Sequence, residues 1–120
     1  PTPRRRPRIL VGGHGEKKTL PLVARYADAC NLFDIPDGGV TLRRKLDVLA
    51  RACEAVGRPR AEIETTVGTA LFPDETPAAF AERCAALEKL GVEHVGVITR
   101  SPWTDADLAR LTEGARLLAD

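Results

Sequence analysis

Three glycines within four residues form the part of the sequence that is best suited to chemistry. Gly12, Gly13 and Gly15 surround His14 and follow a short apolar run that ends at Val11. A helical pattern begins just beyond them, so the sequence predicts a strand, a tight turn and a helix. A turn that lacks Cβ atoms lets a ligand approach the backbone, and a helix N-terminus attracts anions. The alternative is a tight turn that binds nothing, in which His14 faces solvent instead of donating to a ligand.

Two lysines and a threonine open the helix after the glycines. Lys17, Lys18 and Thr19 are suited to contact a phosphate. Exposed lysines in a first helical turn usually make no specific contact, so this remains one of two interpretations. We interpret His94, which comes just before an apolar strand, as structural. The sequence contains no Ser-His-Asp set, no metal-ligand cluster and no phosphate-binding P-loop, so neither a catalytic residue nor a metal site is predicted.

Strand and helix patterns alternate along the whole chain. Capping signals place the later helices: Thr41 as a possible N-cap, Thr76 before a proline, and Thr104 with Asp107 in a capping-box arrangement. Gly57 is placed to end the second helix. The predicted strands cover about 8–11, 29–33, 63–71 and 92–98, and the helices about 17–27, 42–56, 77–90 and the residues after 104.

Apolar side chains recur at helical spacing within these segments. The clearest stripe is that of the second helix, and the last helix has a similar one, which we expect to be buried. The stripe of the second helix consists of Leu42, Leu46, Leu49, Cys53 and Val56, and that of the last helix of Leu108, Leu111, Ala115 and Leu118.

Composition indicates one globular domain. The chain has 120 residues, 43% hydrophobic and 29% charged, with a net charge of +1, so no overall field favours nucleic acid or a membrane surface. No apolar stretch is long enough to span a membrane, and no signal peptide is evident. Arg4, Arg5, Arg6 and Arg8 form a basic cluster. We interpret residues 1–7 as a solvated basic tail, with nucleic-acid binding or targeting as the alternative.

Three cysteines occur at wide spacing, an odd number that argues against disulfides and a zinc site. Cys53 and Cys84 fall on the apolar stripes of predicted helices and should act as small hydrophobic residues. Cys30 could be a reactive thiol, although that is the less favoured interpretation. The expected location is the reducing cytoplasm.

The repeated strand–helix order predicts an α/β fold with parallel strands and right-handed crossovers. In such sheets the binding groups lie at the carboxyl ends of the strands. At those ends the sequence places the glycine turn, Asn31 beside the second strand and Arg100 after the fourth. Asp28, just before the second strand, is more suited to pairing with Arg25 than to a functional role.

Several segments together resemble the luciferase-like monooxygenase family, in particular its coenzyme F420-dependent oxidoreductases. They are residues 7–20, with the Gly-Gly-x-Gly turn, residues 24–32, with Tyr-Ala-Asp-x-x-Asn, and two later stretches, 46–58 and 90–95. Gly-Gly-x-Gly alone would be a weak signal, but the combination is fairly specific.

The resemblance implies a TIM (β/α)8 barrel of which residues 8–120 supply only the C-terminal half, the fifth to eighth βα units. It also implies an oxidoreductase that transfers hydride between F420, or alternatively FMN, and a small organic substrate. By that resemblance Gly12, Gly13, His14 and Gly15 hold the cofactor, while Asn31 and Arg100 face the substrate. Much of the family's flavin pocket belongs to the other half, so activity of this half alone is open.

Half a barrel leaves two open strand edges and an uncovered inner face, on which Ile, Leu and Val side chains would lack partners. The expected partner is therefore a preceding N-terminal half or a second copy that closes an eight-stranded barrel. Two alternatives remain: a non-catalytic half-barrel that serves only in assembly, and a flavodoxin-like open sheet that binds a nucleotide.

Overall fold

A computed structural model describes residues 6–119 of the chain. Over this range four strands alternate with four helices, which confirms an α/β fold built from βα units. No helix within it is both long enough and apolar enough to cross a membrane. The elements are β1 (Leu10–Gly12), α1 (Thr19–Tyr26), β2 (Ala29–Phe33), α2 (Val40–Val56), β3 (Glu64–Ala70), α3 (Pro77–Lys89), β4 (His94–Ile98) and α4 (Asp105–Ala119), with a 3₁₀ turn at Arg60–Glu62.

The four strands form one parallel sheet in the order β1-β2-β3-β4. Each βα unit therefore moves the chain one position in the same direction. A flavodoxin-like sheet would require the chain to step back past its first strand, and the described residues show no such step. Because such crossovers are nearly always right-handed, this order places successive helices on the same face of the sheet.

The hydrophobic core lies between that face and the first three helices. Two clusters of buried side chains fill it, and alternate residues of every strand point into them. The strand side chains in these clusters are Val11, Cys30, Leu32, Val67 and Val95, and the helix side chains include Leu20, Val23, Leu42, Leu49, Cys53 and Leu87. We call this the helix face of the sheet, and the opposite side the inner face.

Most of the helix ends lie where the capping signals of the sequence predict them. Thr76 Oγ1 accepts a hydrogen bond from the Ala79 N–H at 3.1 Å, and Thr104 forms the expected reciprocal pair with Asp107. Gly57 ends α2 with a left-handed φ of 70°. The prediction for Thr41 is wrong in one respect, because the carboxylate of Asp37 accepts hydrogen bonds from both the N–H and the hydroxyl of Thr41.

Asp28 anchors the segment before β1. Its carboxylate accepts two hydrogen bonds from the Arg6 guanidinium, at 2.7 and 2.9 Å, and one from the Ile9 N–H at 2.7 Å. Arg8 pairs with Glu64. The first strand begins at Leu10 instead of at residue 8, the predicted start. Pairing of Asp28 with Arg25, as the sequence suggested, is therefore wrong.

Arg6 of the predicted basic tail is exposed to solvent and also forms an ion pair with Asp28. Arg4 and Arg5 lie outside the described residues. Arg6 and Arg8, the last two arginines of the basic cluster, thus hold the segment before β1 against the start of the sheet.

The last helix departs most from its expected environment. Leu108 and Leu118 of its apolar stripe remain 49% and 42% exposed, and Gly114 is its only buried residue. A Cβ at Gly114 would lie 2.8 Å from Cδ1 of Phe80, so α4 contacts α3 through this glycine. The predicted burial of the α4 stripe is wrong, because within residues 6–119 the sheet has no strand beyond β4 that could cover it.

All three cysteines are free and buried. Burial raises the pKa of each thiol, which makes the nucleophilic thiolate harder to form. The hydrophobic role predicted for Cys53 and Cys84 is confirmed. Cys30 lies in the same core cluster as Cys53, which argues against the reactive thiol considered for it.

The Asp28 anchor predicts a pH dependence of stability. Hydrogen bonds from Arg6 and from the Ile9 N–H lower the pKa of Asp28 from 3.8 to about 2. A carboxyl with a lowered pKa stabilises the fold fully above its unfolded pKa and loses this effect as pH falls through the folded value. Between about pH 4 and pH 2, the free energy of unfolding of Asp28→Asn should therefore decrease less than that of the unmodified chain, as measured by urea titration. Asp74→Asn, an exposed carboxylate without an ion pair in the described chain, should leave that decrease as it is in the unmodified chain, and equal curves for all three proteins would contradict the anchor.

Candidate functional site

The glycine turn is tied to both neighbouring elements. The Gly13 N–H donates to the Asn31 carbonyl at 3.1 Å, and the Gly15 carbonyl accepts from the Leu20 N–H at 2.8 Å. Gly13 has a φ of 133°, which side-chain-bearing residues rarely adopt. The predicted strand–turn–helix is confirmed, and the turn is held rigidly between β2 and the start of α1.

Thr19 explains two of the three glycines. A Cβ at Gly15 would lie 2.8 Å from Thr19 Oγ1, and a Cβ at Gly13 would lie 3.1 Å from Thr19 Cγ2. Gly12 differs, because its nearest neighbours, both in Asn31, would be 3.9 Å away. The turn therefore needs Gly13 and Gly15 for its own packing, whereas Gly12 leaves open space on the inner face.

His14 contacts the protein instead of facing solvent, and the donation to a ligand that the sequence suggested stays a prediction. Its Nε2 accepts a hydrogen bond from the Phe33 N–H at 2.7 Å, and the two rings stack with centroids 5.1 Å apart and planes 12° apart. Burial and, to a lesser extent, the charge of Lys45 lower the pKa of His14. The imidazole is thus held neutral, with Nε2 as the acceptor, and it locks the turn onto the end of β2.

Polar side chains occupy the inner face behind the turn. Gly12, Asn31, Thr66 and His94 lie opposite one another across the four strands. The Thr66 hydroxyl lies 2.9 Å from Asn31 Oδ1 and donates to the Cys30 carbonyl at 2.7 Å.

A shallow cavity of about 290 Å³ lies over this row, at the amino-terminal side of the inner face. Asn31, Thr66, His94 and Glu64 line it. Sequence reasoning missed Thr66 and His94, although the period-two alternation of β3 and β4 would have placed them on the face opposite the core.

Three glycines leave gaps among the side chains of the inner face. Gly12, Gly68 and Gly96 all lie on it, and a Cβ at Gly96 would meet no atom within 4 Å. We call these three positions the glycine floor. The large apolar side chains of this face are Leu10, Phe33 and Ile98, which are 56%, 50% and 61% exposed. The ring of Phe33 lies beside Gly68, where a Cβ would be 3.7 Å from its Cδ1. The predicted inner layer of Ile, Leu and Val is therefore wrong for most positions.

Arg100 is not brought to the glycine turn. It is exposed and follows β4, which is separated from β1 by two strands, or about 14 Å between the outer strands. Asn31 and the glycines do come together at adjacent strands. Lys17 and Lys18 are exposed beside the turn, and α1 begins without a side-chain cap or an acidic residue in its first turn. That end of the helix retains its positive potential.

A second polar cluster, which sequence reasoning missed, lies after β2 and β3. The Arg83 guanidinium donates to Asp34 at 2.7 Å, to Glu75 at 2.8 Å and to Thr69 at 2.6 Å. It also stacks on Phe72 at 4.3 Å. Hydrogen bonding to Arg83 is the main cause of the lowered pKa of Glu75. An arginine within the apolar stripe of α3 was the available signal, because a half-buried charge requires partners.

Within residues 6–119 no three His, Cys, Asp or Glu side chains are grouped so that they could hold a metal ion. Comparison of the chain with family models, with curated proteins and with solved structures finds no match. The geometry of the inner face and its rim is therefore the basis for any functional conclusion.

The packing of Thr19 against the glycine turn is directly testable. Gly15→Ala should lower the free energy of unfolding by roughly 1–3 kcal/mol through overpacking. Adding Thr19→Ala should restore part of this loss, because the clashing hydroxyl is removed. Gly12→Ala should cost much less than Gly15→Ala. Urea denaturation of the three variants measures these values, and equal losses at positions 12 and 15 would show that Thr19 does not set the requirement.

Proposed function

We propose that this chain is the carboxyl-terminal half of a (β/α)8 barrel of the luciferase-like type, and that it takes part in hydride transfer between coenzyme F420, or FMN, and a small organic substrate. The observation that carries the proposal is the glycine floor beside a rigid glycine turn, on the uncovered face of a parallel sheet. Sequential strand order with helices on one face is the arrangement of a barrel segment.

The glycine floor suits a flat ring. A Cβ at Gly96 would meet no atom within 4 Å, and Gly12 and Gly68 likewise lack side chains, so a planar heterocycle can approach the strands beside the ring of Phe33, which borders Gly68. Asn31 and His94, in the row beside Gly12, offer polar groups next to the floor. A filled barrel centre would instead be dominated by branched apolar residues. The inner face thus resembles a binding surface more than half of a packed core.

The start of α1 suits the anionic tail of such a cofactor. Its N-terminus is uncapped by side chains, and Lys17 and Lys18 are exposed there. Gly13, His14 and Gly15 would act by shaping the turn, since their own contacts are with Thr19 and Phe33. When bound, the ring supplies the hydride chemistry, and the residues of this chain bind and orient it. No residue of the chain is assigned as catalytic, and Arg100 stays a candidate for an anionic substrate group.

Cofactor titration tests the proposal. Fluorescence and absorbance of F420 and of FMN should change saturably when the folded 120-residue chain is added. Gly96→Val should reduce the affinity by at least about tenfold, because its side chain would occupy the floor, at a cost of ~1.4 kcal/mol in binding. Ala78→Val, at an exposed position of α3, is the matched control and should bind as the unmodified chain does. A folded sample that changes neither cofactor's spectrum contradicts the proposal.

A second candidate is an assembly module without turnover, in which two copies close an eight-stranded barrel. Three features favour it: the edges of β1 and β4, which no strand of the described chain covers, the exposed inner-face residues Leu10 and Ile98, and the exposed stripe of α4. Because the chain advances strand by strand, a second copy related by a two-fold axis would place β4 beside β1 of its partner at both seams.

The oligomeric state decides this candidate. Size-exclusion chromatography with light scattering should give twice the 13.0 kDa of one chain, and Ile98→Asp should return it to the monomer. Val40→Asp, at a position that is 66% exposed compared with 61% for Ile98, should leave the dimer intact because α2 lies away from both seams. A stable, folded monomer at all concentrations would rule out self-pairing.

A further inference from the structure

A second concave site lies on the helix face, between the loop that follows β2 and helix α3. It is a groove of about 470 Å³, within the range of small-molecule sites. Leu87 forms its buried base, and Ile35 and Phe72, which are 39% and 37% exposed, form its walls. We call it the α2–α3 groove. It is complete within this chain and does not depend on closure of the barrel.

The groove is held open by contacts on both sides. Gly39 has a φ of 84°, and a Cβ there would lie 3.2 Å from Leu90 Cδ1, so the loop rests closely on the end of α3. On the other side Arg83 stacks on Phe72 and pairs with Asp34. These contacts fix both walls without filling the space between them, so binding would require little reorganisation.

The charges available to a ligand in this groove are positive. Arg43 and Lys89 line it, and neither side chain makes a hydrogen bond or ion pair with any residue of the described range. Arg83 and Asp34 also line the groove, but they are already paired with each other. Two unpaired cations beside an apolar pocket complement an anionic group attached to an apolar body.

We infer that the α2–α3 groove binds a small carboxylate with an apolar body of the size of an aryl or short alkyl chain. Ile35, Phe72 and Leu87 would cover the apolar body, while Arg43 and Lys89 hold the carboxylate. This site lies on the face of the sheet opposite the glycine floor, so it is separate from the proposed cofactor site and can succeed or fail independently of it.

Amide chemical shifts of the ¹⁵N-labelled full chain test this inference, with 4-phenylbutyrate as the probe and 4-phenylbutylamine as the charge-reversed control. The carboxylate should shift the amides of Ile35, Phe72 and Leu87 saturably, whereas the amine, which has the same apolar body, should shift them far less. Equal binding of the two compounds, or shifts scattered over the whole chain, would overturn the inference. Concentration-dependent shifts of the groove without any ligand would also overturn it, because they would show that a second copy occupies the site.

Charge removal provides the matched pair of variants. Arg43→Gln with Lys89→Gln should weaken 4-phenylbutyrate binding by about fivefold, as expected for two exposed ion pairs. Arg51→Gln with Arg25→Gln removes the same charge from exposed side chains outside the groove and should change the affinity by less than about twofold. The ¹⁵N spectra of both variants report whether they remain folded. If both double variants weakened binding equally, the effect would come from the net charge of the protein, and the assignment of Arg43 and Lys89 would be contradicted.

Discussion

One constraint governs this structure: each βα unit moves the chain one strand further in the same direction. Because the crossovers share one hand, α1 to α3 collect on one face and bury Cys30, Leu32 and Val67 from that side alone. The opposite face receives no helix, and the edges of β1 and β4 receive no further strand from residues 6–119. The core, the bare inner face and the exposed stripe of α4 are all consequences of this single geometric rule.

The glycine turn shows how residues that suggest binding in the sequence can be required for packing in the fold. Gly13 and Gly15 are required by the methyl and hydroxyl of Thr19, and His14 is held by the backbone and ring of Phe33. These contacts fix the shape of the turn without any ligand. They also leave Gly12 facing open space at the end of β1. A rigid turn beside an open floor is favourable for binding, because little conformational entropy remains to be lost.

The features that the sequence predicts well are those that depend on neighbours within a few residues. The cap at Thr76, the end of α2 at Gly57 and the pairing of Thr104 with Asp107 all follow from local chemistry, and the structure confirms them. The features that the sequence does not predict depend on contacts between residues far apart in the chain. Asp28 has Arg25 three residues before it, yet Arg6 is the residue that the start of β1 brings into reach. Likewise, nothing local assigns Asp34 to Arg83, 49 residues later.

The same distinction explains which of the predicted residues lie together in the fold. Gly12 and Asn31 come from adjacent parallel strands, so their meeting follows from topology alone, whereas Arg100 lies two strands beyond and stays apart. His94 reaches the row of Asn31 only through the register of β3 with β4, which periodicity does not fix. That register puts polar and glycine residues where a closed barrel normally carries branched apolar ones. An inner face of this composition would gain little stability from burial, because it carries few apolar side chains. This is the strongest physical reason to regard it as a surface for a ligand.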